Sequence, residues 1–254
     1  MKLCLATLAL IALACWLAPA LLGLPDPHRP DWTALSQSPS AGHWFGTDAI
    51  GRDILARTLA GGRLSLTIGA LATVVALAIG LAFGAVAGYA GGRVERLLVR
   101  MLDVLSALPF LLIVVLLLAA IGGYVWIDLA RVARAEAARL REAPFVLAAR
   151  AAGARFDQVL RWHLLPNLLP LAVVYLGLIL PQAILVESFL GFLGLGVDEP
   201  AASWGALLQE GTQELDTAPW SLLFPAGFLV ATLAAFQFLG DGLRDWLDVR
   251  GAPA

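Results

Sequence analysis

The sequence is poor in charge. Of its 254 residues, 14% are Asp, Glu, Lys or Arg, while 60% are hydrophobic, and mean hydropathy is +0.83. An ordinary soluble domain carries roughly 25% charged residues. Too little polar surface is present to cover a globule of this size in water, which excludes a soluble enzyme as the default. Lysine is nearly missing: Lys2 is the only one, and no Gly-x-x-x-x-Gly-Lys-[Ser/Thr] run occurs. The chain therefore cannot supply the phosphate-binding lysine of a P-loop. With 17 basic against 19 acidic residues and a net charge of −2, no basic surplus points to nucleic acid. The two cysteines, Cys4 and Cys15, lie in one apolar run at a spacing that a straight helix cannot bridge with a disulfide, and they match no metal motif. His28 and His43 are isolated and make no metal site.

What is present is long apolar sequence. A membrane-spanning helix needs about 20 mostly apolar residues. Uncharged stretches of that length occur at Leu3–Pro25, Leu64–Gly92, Val104–Ile127, Leu164–Val186 and Thr217–Gly240. The chain is thus expected to be an all-α polytopic membrane protein. The first stretch reads as a retained span, because its only n-region charge is Lys2 and Ala12-Leu13-Ala14-Cys15 is a poor cleavage box. The second carries Gly80, Gly84, Gly88 and Gly92, four residues apart. On a helix they share a face, and a glycine face in a membrane lets another backbone come close. This row is the expected helix-packing surface.

The basic residues form clusters at Arg93, Arg96 and Arg100, at Arg131–Arg161, and at Arg244 and Arg250. Positive residues accumulate on the cytoplasmic side of a membrane. The first two clusters flank one uncharged stretch, so both are cytoplasmic only if the chain crosses twice between them. A six-span arrangement with the N-terminus inside and a five-span arrangement with it outside each place 13 basic residues inside and 4 outside. Charge alone does not separate them.

Residues 143–167 predict a short Ala-rich helix, a break at Gly153, a second short helix and a stop at Pro166 before the next span, whose start that proline suits. The small apolar face with flanking arginines suits either a plain amphipathic linker or docking into a groove on another protein. Ala148, Ala149, Gly153, Leu165 and Pro166 stand at the spacing of the EAA loop of ABC-importer permeases, which the segment resembles. Leu147 stands where that family usually has Glu, and His163 where it usually has Ile. Further segments resemble the oligopeptide/dipeptide/nickel branch of the same family, most closely the oligopeptide C-type subunit. They are His43-Trp44-Phe45-Gly46-Thr47-Asp48 through Gly51-Arg52-Asp53, the run Glu187–Gly196, Ser203-Trp204-Gly205-Ala206-Leu207, Phe224-Pro225-Ala226-Gly227, and Gly240–Asp245.

The resemblance implies a six-span importer-type ABC permease with its N-terminus inside. Residues 1–25 would be the first transmembrane helix and 26–63 a periplasmic loop with an interfacial helix. Residues 64–254 would be the permease transmembrane domain, holding the cytoplasmic coupling loop at about 143–167 and an outer loop at about 198–216. It implies a peptide importer in the bacterial inner membrane, with a second permease subunit, two cytoplasmic ATPase subunits and a periplasmic or extracellular substrate-binding protein. ATP and Mg would be bound by the partner subunits and no cofactor by this chain. Leu147, Ala148, Ala149, Gly153, His163, Leu165 and Pro166 would be the ATPase-coupling residues. The chain departs from the family at its third and fourth spans, where roughly ten residues are missing before Tyr124. Two crossings of a ~30 Å core need about 40 residues. Val104 to Arg141 supplies 38, and its second half holds Asp128, Arg131, Arg134, Glu136, Arg139 and Arg141.

Glu187 has two readings: a translocation-path carboxylate that meets a peptide's amino terminus, or an interfacial residue hydrogen-bonded at a helix end. His163 reads as a pH-sensitive coupling residue or as a polar side chain at the membrane edge. Asp48 is a candidate N-cap for an interfacial helix whose apolar face holds Ile50, Ile54, Leu55 and Leu59. Ser203–Glu214 reads as a second short outer helix. The alternatives to an oligopeptide permease are a dipeptide or nickel-chelate permease, a stand-alone secondary transporter, and an inactive assembly subunit.

Overall fold

The computed structural model describes residues 2–107, 121–197 and 200–251. Most of the third uncharged stretch (108–120), the start of the outer loop (198 and 199) and the side chains of Leu243 to Asp245 lie outside the described residues. The described chain is helical, with a single isolated bridge between Thr47 and Asp53. Helix α1 is Lys2–Leu21, α2 Ile54–Ala90, α3 Gly92–Ala107, α4 Ile121–Arg141, α5 Pro144–Ala151, α6 Phe156–Val159, α7 Leu165–Phe192, α8 Trp204–Gln213 and α9 Trp220–Gly251. A π-helical turn, Leu160–Leu164, joins α6 to α7. Among the described residues four helical stretches are long and apolar enough to cross a membrane: Lys2–Leu21, Ile54–Ala90, Phe156–Phe192 and Trp220–Gly242. They contain four of the five uncharged stretches, apart from a few terminal residues.

The chain divides into two compact units. Residues 1–70 and 181–242 make the first, 71–180 and 243–254 the second, and α2 and α7 each contribute one half to both. In the second unit the glycine row of α2 faces α4. A Cβ built on Gly80 would fall 2.9 Å from Leu129 Cδ2, and one on Gly84 would fall 2.5 Å from Ala133 Cβ and 2.6 Å from the Ala130 carbonyl. At Gly88 the nearest atoms are the Arg134 carbonyl and Ala137 Cβ. Small residues on both helices permit this, since the α4 side is Ala130, Ala133 and Ala137, all fully buried. Gly92 is a correction to the expected row. It lies past the end of α2 with φ +57°, next to Gly91 at +66°, and nothing lies within 4 Å of the Cβ it lacks. The two glycines turn the chain sharply from α2 into α3, and that left-handed geometry is why the packing face ends at Gly88.

The arginines of α4 have partners. Arg131 donates to Asp103 Oδ1 at 3.2 Å and to Ser106 Oγ at 2.6 Å, and Arg134 donates to Glu95 Oε1 at 2.6 Å. Both carboxylates lie on α3. Helix α4 therefore carries one face of small residues against α2 and another of arginines paired to α3, instead of the apolar girth of a lipid-facing span.

Two local expectations change. Helix α2 starts at Ile54 and runs unbroken for 37 residues, so no separate interfacial helix precedes it. Its N-cap is Asp53, whose Oδ1 accepts the Ala56 amide at 2.8 Å, and not Asp48, whose carboxylate is taken by arginines. Ile54, Leu55 and Leu59 are buried, at 2%, 6% and 2% exposure, and so do not lie on a membrane surface. Pro166 does not stop a helix either. Phe156–Phe192 is continuous, and the turn just before the proline widens to π geometry, the adjustment expected where a ring replaces an amide donor.

Replacing Gly84 by Leu is expected to destabilise the purified protein by about 1–3 kcal/mol or to prevent folding, because the close approach to Ala133 and Ala130 leaves no room. Gly92→Ala meets no neighbour and should cost only about 1 kcal/mol, from its left-handed φ. Thermal unfolding followed by circular dichroism orders the two. Equal melting temperatures for the two variants would contradict the packing.

Candidate functional site

The segment 143–167 is a helix, a left-handed turn and a second helix. Pro144 opens α5, where its missing amide would be unpaired anyway. The exit is a Schellman motif. The Ala154 amide donates to the Ala149 carbonyl at 3.0 Å, the Gly153 amide donates to Arg150 at 3.0 Å, and Gly153 has φ +87°. Glycine is required at that φ, although nothing crowds the position. Ala149 and Gly153 thus have a backbone reason for their spacing.

Three fully buried residues, Val146, Val159 and Leu164, tie the segment to a cluster with Ala85, Tyr89, Ala137, Leu140 and Leu168. Tyr89 and Phe156 also meet with ring centroids 4.7 Å apart. The opposite surface is bare. Leu147, Ala148 and Ala151 to Gly153 are exposed, as are Phe145 (42%), Phe156 (48%) and Trp162 (75%). Ala149 and Leu165 are half-buried and Pro166 is exposed. His163 sits in the π turn, half-buried, its ring 6.2 Å from that of Phe145 and its carbonyl accepting from Asn167 Nδ2 at 2.6 Å. The proposed coupling residues therefore lie on one continuous piece of chain, with Leu147, Ala148 and Gly153 outward.

Glu187 lies in the first unit at 4% exposure. Ser188 Oγ donates to its Oε2 at 3.3 Å, and Ser65 and Ser203 also hydrogen-bond its side chain. Ser203 caps α8, and the Trp204 amide donates to Ser65 Oγ at 3.1 Å. Trp204 is fully buried. Its Nε1 donates to the Thr58 carbonyl at 2.9 Å, and its ring covers Gly62, where a Cβ would fall 2.7 Å from Cζ2. Gly191 and Gly205 bring α7 and α8 equally close, since a Cβ on Gly191 would sit 2.9 Å from the Ala206 amide.

A second polar knot was not foreseen as a unit. Arg57, 2% exposed, donates from Nη1 to Asp48 Oδ2 at 2.9 Å and to Glu210 Oε2 at 2.6 Å, and from Nη2 to Glu210 Oε1 at 3.1 Å. Arg52 joins the same two carboxylates at 2.6 and 2.9 Å. Glu214 Oε1 accepts the Ala49 amide at 3.1 Å, Trp220 Nε1 donates to the Thr47 carbonyl at 2.9 Å, and Phe45 stacks on Phe224 at 3.9 Å. The available signal was an arginine, Arg57, in the first turn of a long, mostly apolar helix, four residues after Asp53. Beside the knot, Asp31, Asp53, His43 and Trp32 help to line a cleft of about 410 Å³. Asp53 Oδ2 meets His43 Nδ1 at 2.9 Å, while the Thr33 hydroxyl and amide hold exposed Asp31 below the usual carboxylate range. Among the described residues no group of three or more potential ligands is placed to hold a metal ion.

An all-helical chain with four membrane-length helices, and with a bare helix–glycine–helix segment between buried anchors, fits a transport subunit. Residues 80–251 match the family described as binding-protein-dependent transport system inner membrane component, and the chain belongs to that family. It is a multi-pass protein of the bacterial inner membrane. Its relatives include the oligopeptide transport system permease protein OppC of Escherichia coli (strain K12), 44% identical over 254 residues, 95% of this chain and 84% of that protein. The OppC of Haemophilus influenzae is 45% identical over 231 residues, covering 86% and 74%. The dipeptide transport system permease protein DppC of Bacillus subtilis (strain 168) is 41% identical over 238 residues, covering 88% and 74%.

Truncating Glu210 to Ala leaves the buried Arg57 guanidinium with half its ion pairing, an expected loss of about 3 kcal/mol. Replacing Arg57 and Glu210 together by Met should recover much of it, because no unpaired charge remains. Thermal melts of the two variants test this, and an equal or deeper loss in the double variant would contradict it.

Proposed function

We propose that this chain is a permease subunit of an ATP-driven, binding-protein-dependent peptide importer with oligopeptides as substrate. The observation that carries the reading is 44% identity, over 95% of the chain, to a protein named an oligopeptide permease. A second reading, dipeptide import, has the 41% identity to a dipeptide permease in its favour. In this proposal the chain crosses six times with its N-terminus inside. Residues 26–63 and 198–216 face the binding protein and 143–167 face the cytoplasm.

ATP is hydrolysed by two partner subunits that bind ATP and Mg, and a second permease subunit completes the translocation path. The lone lysine and the lack of a P-loop motif support that division of labour. The outward surface of α5 and Gly153 docks in a cleft of an ATPase subunit, with Leu147, Ala148 and Ala149 on the docking helix. His163, Leu165 and Pro166 carry the motion into α7. The anchoring of Val146, Val159 and Leu164 supports this, because a push on α5 moves the base of a long helix and not a loose loop. Closure of the ATPases would then rock the spans between inward- and outward-facing states. For Glu187 we adopt the structural role. Held by three serines, it fixes the end of α7 against the cap of α8 and does not line the path for the peptide.

Co-expression with the partner permease, the ATPases and the binding protein, followed by reconstitution, tests the reading. ATP-dependent uptake of labelled peptides of three to five residues is expected, faster than uptake of dipeptides or of a nickel chelate. The opposite order would assign another substrate, and no uptake by a fully assembled complex would reject transport. Gly153→Asp should abolish uptake while membrane insertion and thermal stability stay within about 1–2 kcal/mol of wild type, the strain of a left-handed residue. Normal uptake by that variant would reject the coupling role.

A further inference from the structure

Helix α3 has a surface that neither the packing nor the proposed coupling uses. Glu95 and Asp103 are its only acidic residues, and both are committed to α4, Glu95 to Arg134 and Asp103 to Arg131. Its arginines 93, 96 and 100 are left exposed on the first turns, with no carboxylate in ion-pairing reach among the described residues. Together with Leu97 they line a cleft of about 280 Å³. The Arg96 Nε makes one long hydrogen bond, 3.3 Å to the Gly92 carbonyl, which holds the side chain along the helix beside the cleft. The positive end of the helix dipole lies there too. The Arg141 guanidinium also sits over Gly91, at the turn into α3, but its charge is paired with Glu142 at 2.9 Å and adds little.

Next to the basic row runs an apolar one. Val94, Leu97, Met101 and Val104 recur at helical spacing and are 49%, 62%, 49% and 65% exposed. An exposed apolar stripe bordered by unpaired arginines is the pattern of a helix lying at a membrane surface. Its position in the chain agrees. Helix α2 ends its apolar run at Ala90, and the left-handed pair Gly91 and Gly92 turns the chain at once, so α3 directly follows the end of a membrane-length helix.

We propose that Arg93, Arg96 and Arg100 bind the phosphate of an anionic phospholipid headgroup, with Leu97 and Met101 against its acyl chains. Three guanidiniums with no counter-charge among the described residues provide the complementarity, since each presents several donors to phosphate oxygens. The inference rests on α3 lying at the membrane surface and not on which substrate is carried.

Native mass spectrometry of the full chain in detergent, titrated with phosphatidylglycerol, phosphatidylcholine or inorganic phosphate, tests it. Wild type is expected to retain phosphatidylglycerol over phosphatidylcholine. The triple variant R93Q/R96Q/R100Q should lose roughly tenfold or more of that retention, and R93K/R96K/R100K should keep most of it. Equal retention of the two lipids by wild type, or undiminished phosphatidylglycerol on the glutamine variant, would overturn the proposal. Displacement of the lipid by inorganic phosphate at comparable concentration would identify a free-phosphate site and overturn the lipid assignment. Should the glutamine variant not fold, the wild-type preference and its weakening by salt decide. Co-purification of the assembled importer is the last arm. Loss of a partner subunit from the glutamine variant, with lipid retention unchanged, would make this face a protein interface. Peptide uptake is read separately, so a failure of transport with lipid retention intact bears on the proposed function alone.

Discussion

The structure depends on helices approaching one another more closely than ordinary side chains allow. Between membrane helices lipid is as apolar as leucine, so association has to come from packing and hydrogen bonds. In the second unit the edge formed by Gly80, Gly84 and Gly88 meets Ala130, Ala133 and Ala137. In the first unit Gly62 receives the Trp204 ring, and Gly191 and Gly205 bring α7 against α8. A Cβ at most of these positions would fall within 3 Å of a neighbouring atom. Close approach of this kind leaves few alternatives, and it positions the polar groups that follow.

Those polar groups answer a second constraint: charge away from water must be paired. Helix α4 breaks the pattern of an apolar span but does not leave its arginines bare, because Glu95 and Asp103 on α3 meet them. In the first unit Arg57 and Arg52 share Asp48 and Glu210, which ties the segment before α2 to α8. The same accounting leaves the arginines at 93, 96 and 100 with no ion pair among the described residues. Low overall charge thus gives each charged residue a definite place, either in a knot or at a surface.

Much of the local structure of the coupling-like segment is legible in the sequence. The spacing of Ala149 and Gly153 follows from the Schellman exit of a short helix, a local rule that reads directly from residue type. Pro166 suits the start of a span, and α7 does begin at Leu165, but no stop precedes it because a π turn just upstream carries the helix through. The sequence offers Asp48 as the cap of the helix that follows it, and the structure gives that role to Asp53. Which of them caps α2 was decided by Arg52 and Arg57, which had already engaged the other. Gly92 continued the four-residue period in sequence but not in space, because Gly91 and Gly92 both leave the right-handed region.

By itself the sequence determined the class of the molecule. Long uncharged runs and scarce charge dictate a helical membrane protein, since hydropathy and backbone satisfaction in lipid are additive along the chain. It also determined the local turn chemistry at Gly153 and the lack of a nucleotide-binding lysine. Only the tertiary structure decided which glycines pack, which carboxylate belongs to which arginine, and that Glu187 is enclosed by Ser65, Ser188 and Ser203 from three separate parts of the chain. Such pairings join residues up to 158 positions apart, as Arg52 and Glu210 are. They follow from where helices meet, and no local pattern in the chain encodes that distance.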